Sequence, residues 1–118
     1  MSIDKHKELK DRAKSFALRV IKMSDALPRT RSANVIANQI LRSATSMAAN
    51  YRAVGRARSK AEFLSKLGIV IEEADETVFW LELLADSAIV PASRLGALLD
   101  EANQLLSIFS ASRRTAKA

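Results

Sequence analysis

Residues 60–88 read KAEFLSKLGIVIEEADETVFWLELLADSA, the longest periodic stretch in the chain, with no proline and a single glycine, Gly68. At about 100° per residue, Phe63, Leu67, Val70, Ile71, Ala74, Val78, Leu81, Ala85 and Ala88 share one face, so the spacing predicts a helix over 60–88. Ser59 and Glu62 make the S-x-x-E pattern of a capping box at its start. A second set, Ile69, Glu73, Glu76, Trp80 and Leu83, recurs at steps of 4, 3, 4 and 3 on nearly the opposite side. A bundle buries one face of each helix. Either Trp80 and Leu83 lie partly under a neighbouring loop, or the set is an oligomer interface anchored by Trp80. In the second reading Glu73 and Glu76 take basic partners from another chain.

The same spacing recurs on both sides of this segment. Leu9, Ala13, Phe16, Val20, Met23 and Leu27 mark a helix over 4–26, which Pro28 ends by disfavouring helix before it. Ile36, Ile40, Ser43, Met47, Asn50 and Val54 mark a helix over 33–55, with Ser32 as its N-cap and Gly55 at its end. Leu95, Leu98, Ala102, Leu105, Phe109 and Ser112 mark a helix over 92–112, with Pro91 in its first turn. Residues 113–118 read as a short, frayed basic tail. Four amphipathic helices with short connections predict an all-α fold, an antiparallel up-down four-helix bundle filling residues 1–118 as one domain. At 118 residues, such a chain buries roughly two-thirds of its unfolded surface.

Charge is distributed unevenly along those helices. The net charge is +6. Residues 32–61 carry five bases and no acid, whereas 62–91 carry seven acids and one base. The two segments complement each other and still leave base to attract a polyanion. Projected on the second helix, Arg42, Arg52 and Arg56 fall within roughly 80°, opposite Ile36, Ile40, Met47 and Val54, with Thr45, Ala49 and Ala53 between them. Arg58 and Lys60 follow. These cations face water, the acids of the third helix, or phosphates; the last two are compatible. Tyr51 is the only aromatic nearby and projects beside the core, so no base-stacking platform is expected and contact would run through the backbone phosphates. Ser43 and Asn50 project inward and read as buried polar residues whose hydrogen bonds fix helix register.

Most catalytic chemistry is excluded by composition. The chain has no cysteine and one histidine, His6, which sits among lysines and reads as solvated. No nucleophile–base pair can be built from a lone histidine. Glu72, Glu73, Asp75 and Glu76 spread around their helix, and no Glu-x-x-His motif accompanies them, so no metal is expected. No G-x-x-x-x-G-K-[ST] loop is present. The start, MSIDKHKELK, lacks the apolar core of a signal peptide, and no apolar run is long enough to span a bilayer. The expectation is a non-enzymatic, cytoplasmic protein with no cofactor, no membrane association and no small-molecule substrate.

Residues 39–84, QILRSATSMAANYRAVGRARSKAEFLSKLGIVIEEADETVFWLELL, closely resemble the bacterial four-helix bundle family that includes proteins encoded by intervening sequences inside 23S rRNA genes. The pattern is carried by Gln39, Arg42, Ser43, Ser46, Asn50, Tyr51, Arg52, Arg56, Arg58, Ser59, Glu62, Phe63, Lys66, Glu73, Ala74, Glu76, Thr77, Trp80 and Leu81. It continues more weakly through the first and last helices. The family usually has an acid after N-Y-R; Ala53 stands there in this chain, so one ion pair is missing. The resemblance implies a ring-shaped homopentamer. It also relates the chain to the accessory variability determinant of diversity-generating retroelements, a basic pentameric barrel that works with a reverse transcriptase and nucleic acid. Two functions follow as expectations. One is RNA or DNA binding of low sequence selectivity through Arg42, Arg52, Arg56, Arg58 and Lys60. The other is a protein-directed assembly or adaptor module, for instance beside a reverse transcriptase, in which Glu73 and Glu76 consume the arginines across subunits.

Overall fold

The computed structural model describes residues 3–118 and holds four helices: α1 (Ile3–Asp25), α2 (Arg31–Val54), α3 (Lys60–Asp86) and α4 (Ala92–Lys117). Each helix packs on its chain neighbours, and α4 closes the square against α1 over a shorter stretch. The bundle measures 45 × 21 × 21 Å, the aspect expected of helices about 1.5 Å long per residue laid side by side.

Local chemistry sets the helix ends. Thr30, in extended conformation, caps α2 by accepting from Ala33 N at 3.2 Å. That helix therefore starts at Arg31, and Ser32 lies inside its first turn rather than capping it. Ser59 Oγ accepts from Glu62 N at 3.0 Å, while the Glu62 carboxylate turns to Arg58 Nε at 3.3 Å. Only half of the capping box therefore forms around α3. That helix stops at Asp86, two residues earlier than its periodicity suggests, because Ala88 adopts φ 59 and reverses the chain. A left-handed alanine costs roughly 1–2 kcal/mol, which the turn into α4 must offset. The largest departure is at α4. Residues 113–117 are helical, not frayed, and Arg113 Nε donates to Leu64 O at 3.3 Å, tying the last turns to α3.

The core runs the length of the square. Phe16 and Val20 from α1, Ile40, Met47 and Tyr51 from α2, Leu67, Leu81 and Leu84 from α3, and Leu105 and Phe109 from α4 are all fully buried. Burying each such side chain contributes roughly 1.5–3 kcal/mol. On α3 the buried face is centred on Val70, Ala74, Thr77, Leu81 and Leu84, while Ala88 is exposed. The Glu73–Trp80–Leu83 set consequently flanks the core rather than opposing it.

Polar groups fix the register. Thr77 Oγ1 donates to Ser43 Oγ at 2.9 Å across the α2–α3 contact, both residues being fully buried, and also lies 2.8 Å from Glu73 O. Ser43 thus bonds across the α2–α3 contact. Asn50 differs: it is half-buried and bonds within its own helix, to Ser46 O at 2.8 Å and Ser46 Oγ at 3.0 Å. Its side chain lies toward the edge of the buried arc, so no cross-helix bond results. His6 also differs from expectation. Its ring stacks on Tyr51 at 4.9 Å, and Tyr51 stacks in turn on Phe109 at 4.9 Å. Burial, then the nearby Lys10 charge, hold the imidazole below its ordinary pKa, and burial pushes the Tyr51 phenol up to about 12. Between α1 and α4, Arg12 grips Glu101 through Nη2 at 2.7 Å and Nε at 3.2 Å, and reaches Gln104 Oε1 at 3.2 Å.

Candidate functional site

Arg42 lies on the side of α2 that faces α3. Its Nη1 donates to Glu73 Oε2 and its Nη2 to Glu76 Oε1, each at 2.9 Å. Glu73 and Glu76 lie three residues apart on one helical edge, which is what lets a single guanidinium fork reach both. The hydrogen bond to Glu76 and the charge of Glu73 hold the guanidinium above its ordinary pKa. The two carboxylates thus find their basic partner inside the same chain. The expectation that they await a cation from another subunit is corrected: residue 42 of α2 is level with residues 73–76 of α3, a coincidence no one-dimensional pattern reports.

Farther along the same edge, Trp80 and Leu83 are half-buried and pack toward Thr30, Arg31, Ser32, Val35 and Ile36 of the α1–α2 connection and the start of α2. Trp80 Nε1 is buried without a hydrogen-bond partner among the described residues. Of the proposed interface set, Glu73 is buried, Glu76, Trp80 and Leu83 are half-buried, and Ile69 is 44% exposed. The most open aromatic on α3 is instead Phe79, 51% exposed, with its ring edge-on to Trp80 at 4.9 Å. Phe79 stands outside both periodic sets of α3, so the spacing carries no sign of it.

The other arginines have a different setting. Arg52, Arg56, Arg58 and Lys60 are exposed. Arg58 pairs with Glu62, whereas Arg52, Arg56 and Lys60 form no ion pair with a described residue. Because α2 ends at Val54, Arg56 stands in the turn beyond it, and its helical projection beside Arg42 does not apply. Arg42 and Arg52 are separated by nearly three turns and take opposite flanks of α2. What the fold brings to Arg52 comes from α1: Lys10 and Lys14 line a groove with Asp11, Ala48, Ala49 and Arg52. Asp11 is engaged by Lys7 at 3.0 Å, a bond that lowers its pKa.

The antiparallel order also gathers the start of α1, the α2–α3 connection and the end of α4 at one end of the bundle. Arg114 and Lys117, exposed on the last turns of α4, therefore join Arg56, Arg58 and Lys60 there. Lys10, Lys14, Arg114 and Lys117 were missing from the expected set. Their signal in the sequence was only the basic composition of the two outer segments, with no register to place them.

The model of the 23S rRNA-intervening sequence protein family matches residues 5–111. The chain belongs to that family. A solved structure from Bacteroides thetaiotaomicron VPI-5482, described as a protein with unknown function from the S23 ribosomal protein family, superposes with a TM-score of 0.85 at 31% identity. The match covers 93% of this chain and 98% of that one. No curated protein matches the chain. The likeness of that structure agrees with the four-helix bundle described above. Among the described residues, no helix is long and apolar enough to cross a membrane and no three metal-ligating side chains gather.

Proposed function

We propose that this family member is a non-enzymatic, cytoplasmic, self-associating bundle, a homopentamer by family resemblance, that binds RNA or DNA through its basic end with low sequence selectivity. The observation that carries the reading is that Arg52, Arg56 and Lys60 pair with no acid among the described residues, with Lys10 across the groove and Arg114 and Lys117 nearby. Cations without internal acids keep their full field for phosphates, and binding by counterion release needs no base contact. Arg42 contributes little, since its guanidinium fork is already engaged by two carboxylates.

Filter binding of a single-stranded oligonucleotide across a salt series tests this. A steep fall of affinity with salt is expected. Reversing Arg52 and Arg56 to glutamate should flatten the log–log slope by roughly 1.4, since each phosphate contact on a single strand adds about 0.7. Absence of binding at low salt refutes the reading.

The exposed Phe79 supports a second function, an assembly or adaptor module such as a reverse-transcriptase accessory protein. In that case oligonucleotide binding is absent at low salt, while Phe79→Glu still lowers the assembled mass in light scattering.

A further inference from the structure

Several large apolar side chains are exposed along the bundle, Val35 on α2 and Ile69 on α3 among them, and two sets of them stand on separate faces of opposite charge. Phe79 projects from α3 away from the core, among exposed Glu72, Asp75, Glu82 and Asp86. None of these four carboxylates pairs with a described residue. On α1, Leu18 is 58% and Ile21 38% exposed, one turn apart, with Lys14 and Lys22 exposed beside them and in no ion pair with a described residue. Asp25 lies at the far margin of that face, and Asp11 at the near margin is already held by Lys7.

We propose that these faces are the two halves of a head-to-tail contact between copies: Phe79 of one copy seats on Leu18 and Ile21 of the next, with the α3 carboxylates over Lys14 and Lys22. The inference rests on the self-association reading above and names its surfaces. An apolar centre with a charged rim is the anatomy of a specific interface. Charge decides the pairing, because α3 against α3 would appose four carboxylates with four others. A contact between unlike faces leaves one of each free on every dimer, so growth continues until the ring closes.

Height along the bundle agrees. The Arg42 pair sets residue 42 level with 73–76, and the Lys10–Lys14–Arg52 groove sets the start of α1 level with the end of α2. At a rise of about 1.5 Å per residue, Phe79 and Ile21 then lie within roughly 10 Å of one height. A rotation that closes a ring adds no rise, so matching heights suit bundles standing along the ring axis. Every basic end would then fall on the same rim.

Light scattering of the wild type, Phe79→Glu, Leu18→Glu and an equimolar mixture of the two variants tests the contact. The expected result is an oligomeric wild type, two monomeric variants, and a mixture that recovers a one-to-one dimer and grows no further, since each variant keeps the face the other lost. An oligomeric wild type whose variants keep its mass, a Leu18→Glu protein that dimerises alone, or a mixture that stays monomeric overturns the contact while leaving self-association standing. A monomeric wild type overturns both. Circular dichroism checks the helices; should either variant lose them, Phe79→Ser and Leu18→Ser take their place.

Discussion

Arg42 and Arg52 occupy one helix, ten residues apart, and the fold treats them in opposite ways. At Arg42 a neighbouring helix supplies two carboxylates, one of them largely buried, and the guanidinium becomes part of the α2–α3 contact. At Arg52 the neighbouring helix supplies Lys10 and Lys14, and the charge is left uncompensated. A positive residue is therefore structural or available according to which edge of its helix it takes. The basic end is held by stacked rings and apolar packing more than by ion pairs, while the α2–α3 edge uses both.

The largest effect should come from removing the packing beneath the basic end. Tyr51 is fully buried between His6 and Phe109. Tyr51→Ala is expected to cost about 3–5 kcal/mol in chemical denaturation, as other large-to-small core changes do. A loss below about 1 kcal/mol, the scale of a surface change, would mean that the stack does not hold this end.

The comparison itself is sharpened by two alanine variants. Arg42→Ala leaves Glu73, whose side chain is 11% exposed, without its cation, and should lower the denaturation midpoint while changing oligonucleotide affinity little. Arg52→Ala should leave stability within about 0.5 kcal/mol and weaken oligonucleotide binding. Equal effects of the two on both measurements would erase the distinction drawn between the edges.

The smallest effect is a pH dependence. His6 has its folded pKa below the unfolded value, so the folded state binds fewer protons, and its contribution is complete above the unfolded pKa of 6.5. It is lost as pH falls through the lower folded value. The denaturation midpoint should drop between pH values of about 7.5 and 5.5, which bracket the unfolded value. His6→Phe, which keeps a ring on Tyr51, should remove that part of the drop. An unchanged pH profile in the variant would detach His6 from the stability of this end.

Much of the bundle was legible because helical periodicity is a local property. The i, i+3, i+4 recurrence of Leu67, Val70, Ala74, Val78 and Leu81 locates α3, and Ser59 marks its first turn through a bond only three residues long. Where two local signals compete, geometry chooses: Thr30 caps α2 although Ser32 is an equally good acceptor by type. Ala88 ends α3 through a backbone angle that alanine does not advertise. The last turns of α4 stay helical because Arg113 reaches Leu64, a contact 49 residues away in the chain. His6 carried no sign of its stack on Tyr51 for the same reason.

By itself, the sequence determined four amphipathic helices, their order, a buried Ser43 and a surplus of positive charge, since each follows from residue type and spacing along a single helix. Only the tertiary structure decided which charges are spent. Pairing Arg42 with Glu73 and Glu76, grouping Arg52 with Lys10 and Lys14, and turning Phe79 rather than Trp80 outward all depend on the relative height and rotation of neighbouring helices. Those are set by how the whole core packs, and no stretch of one helix encodes them alone.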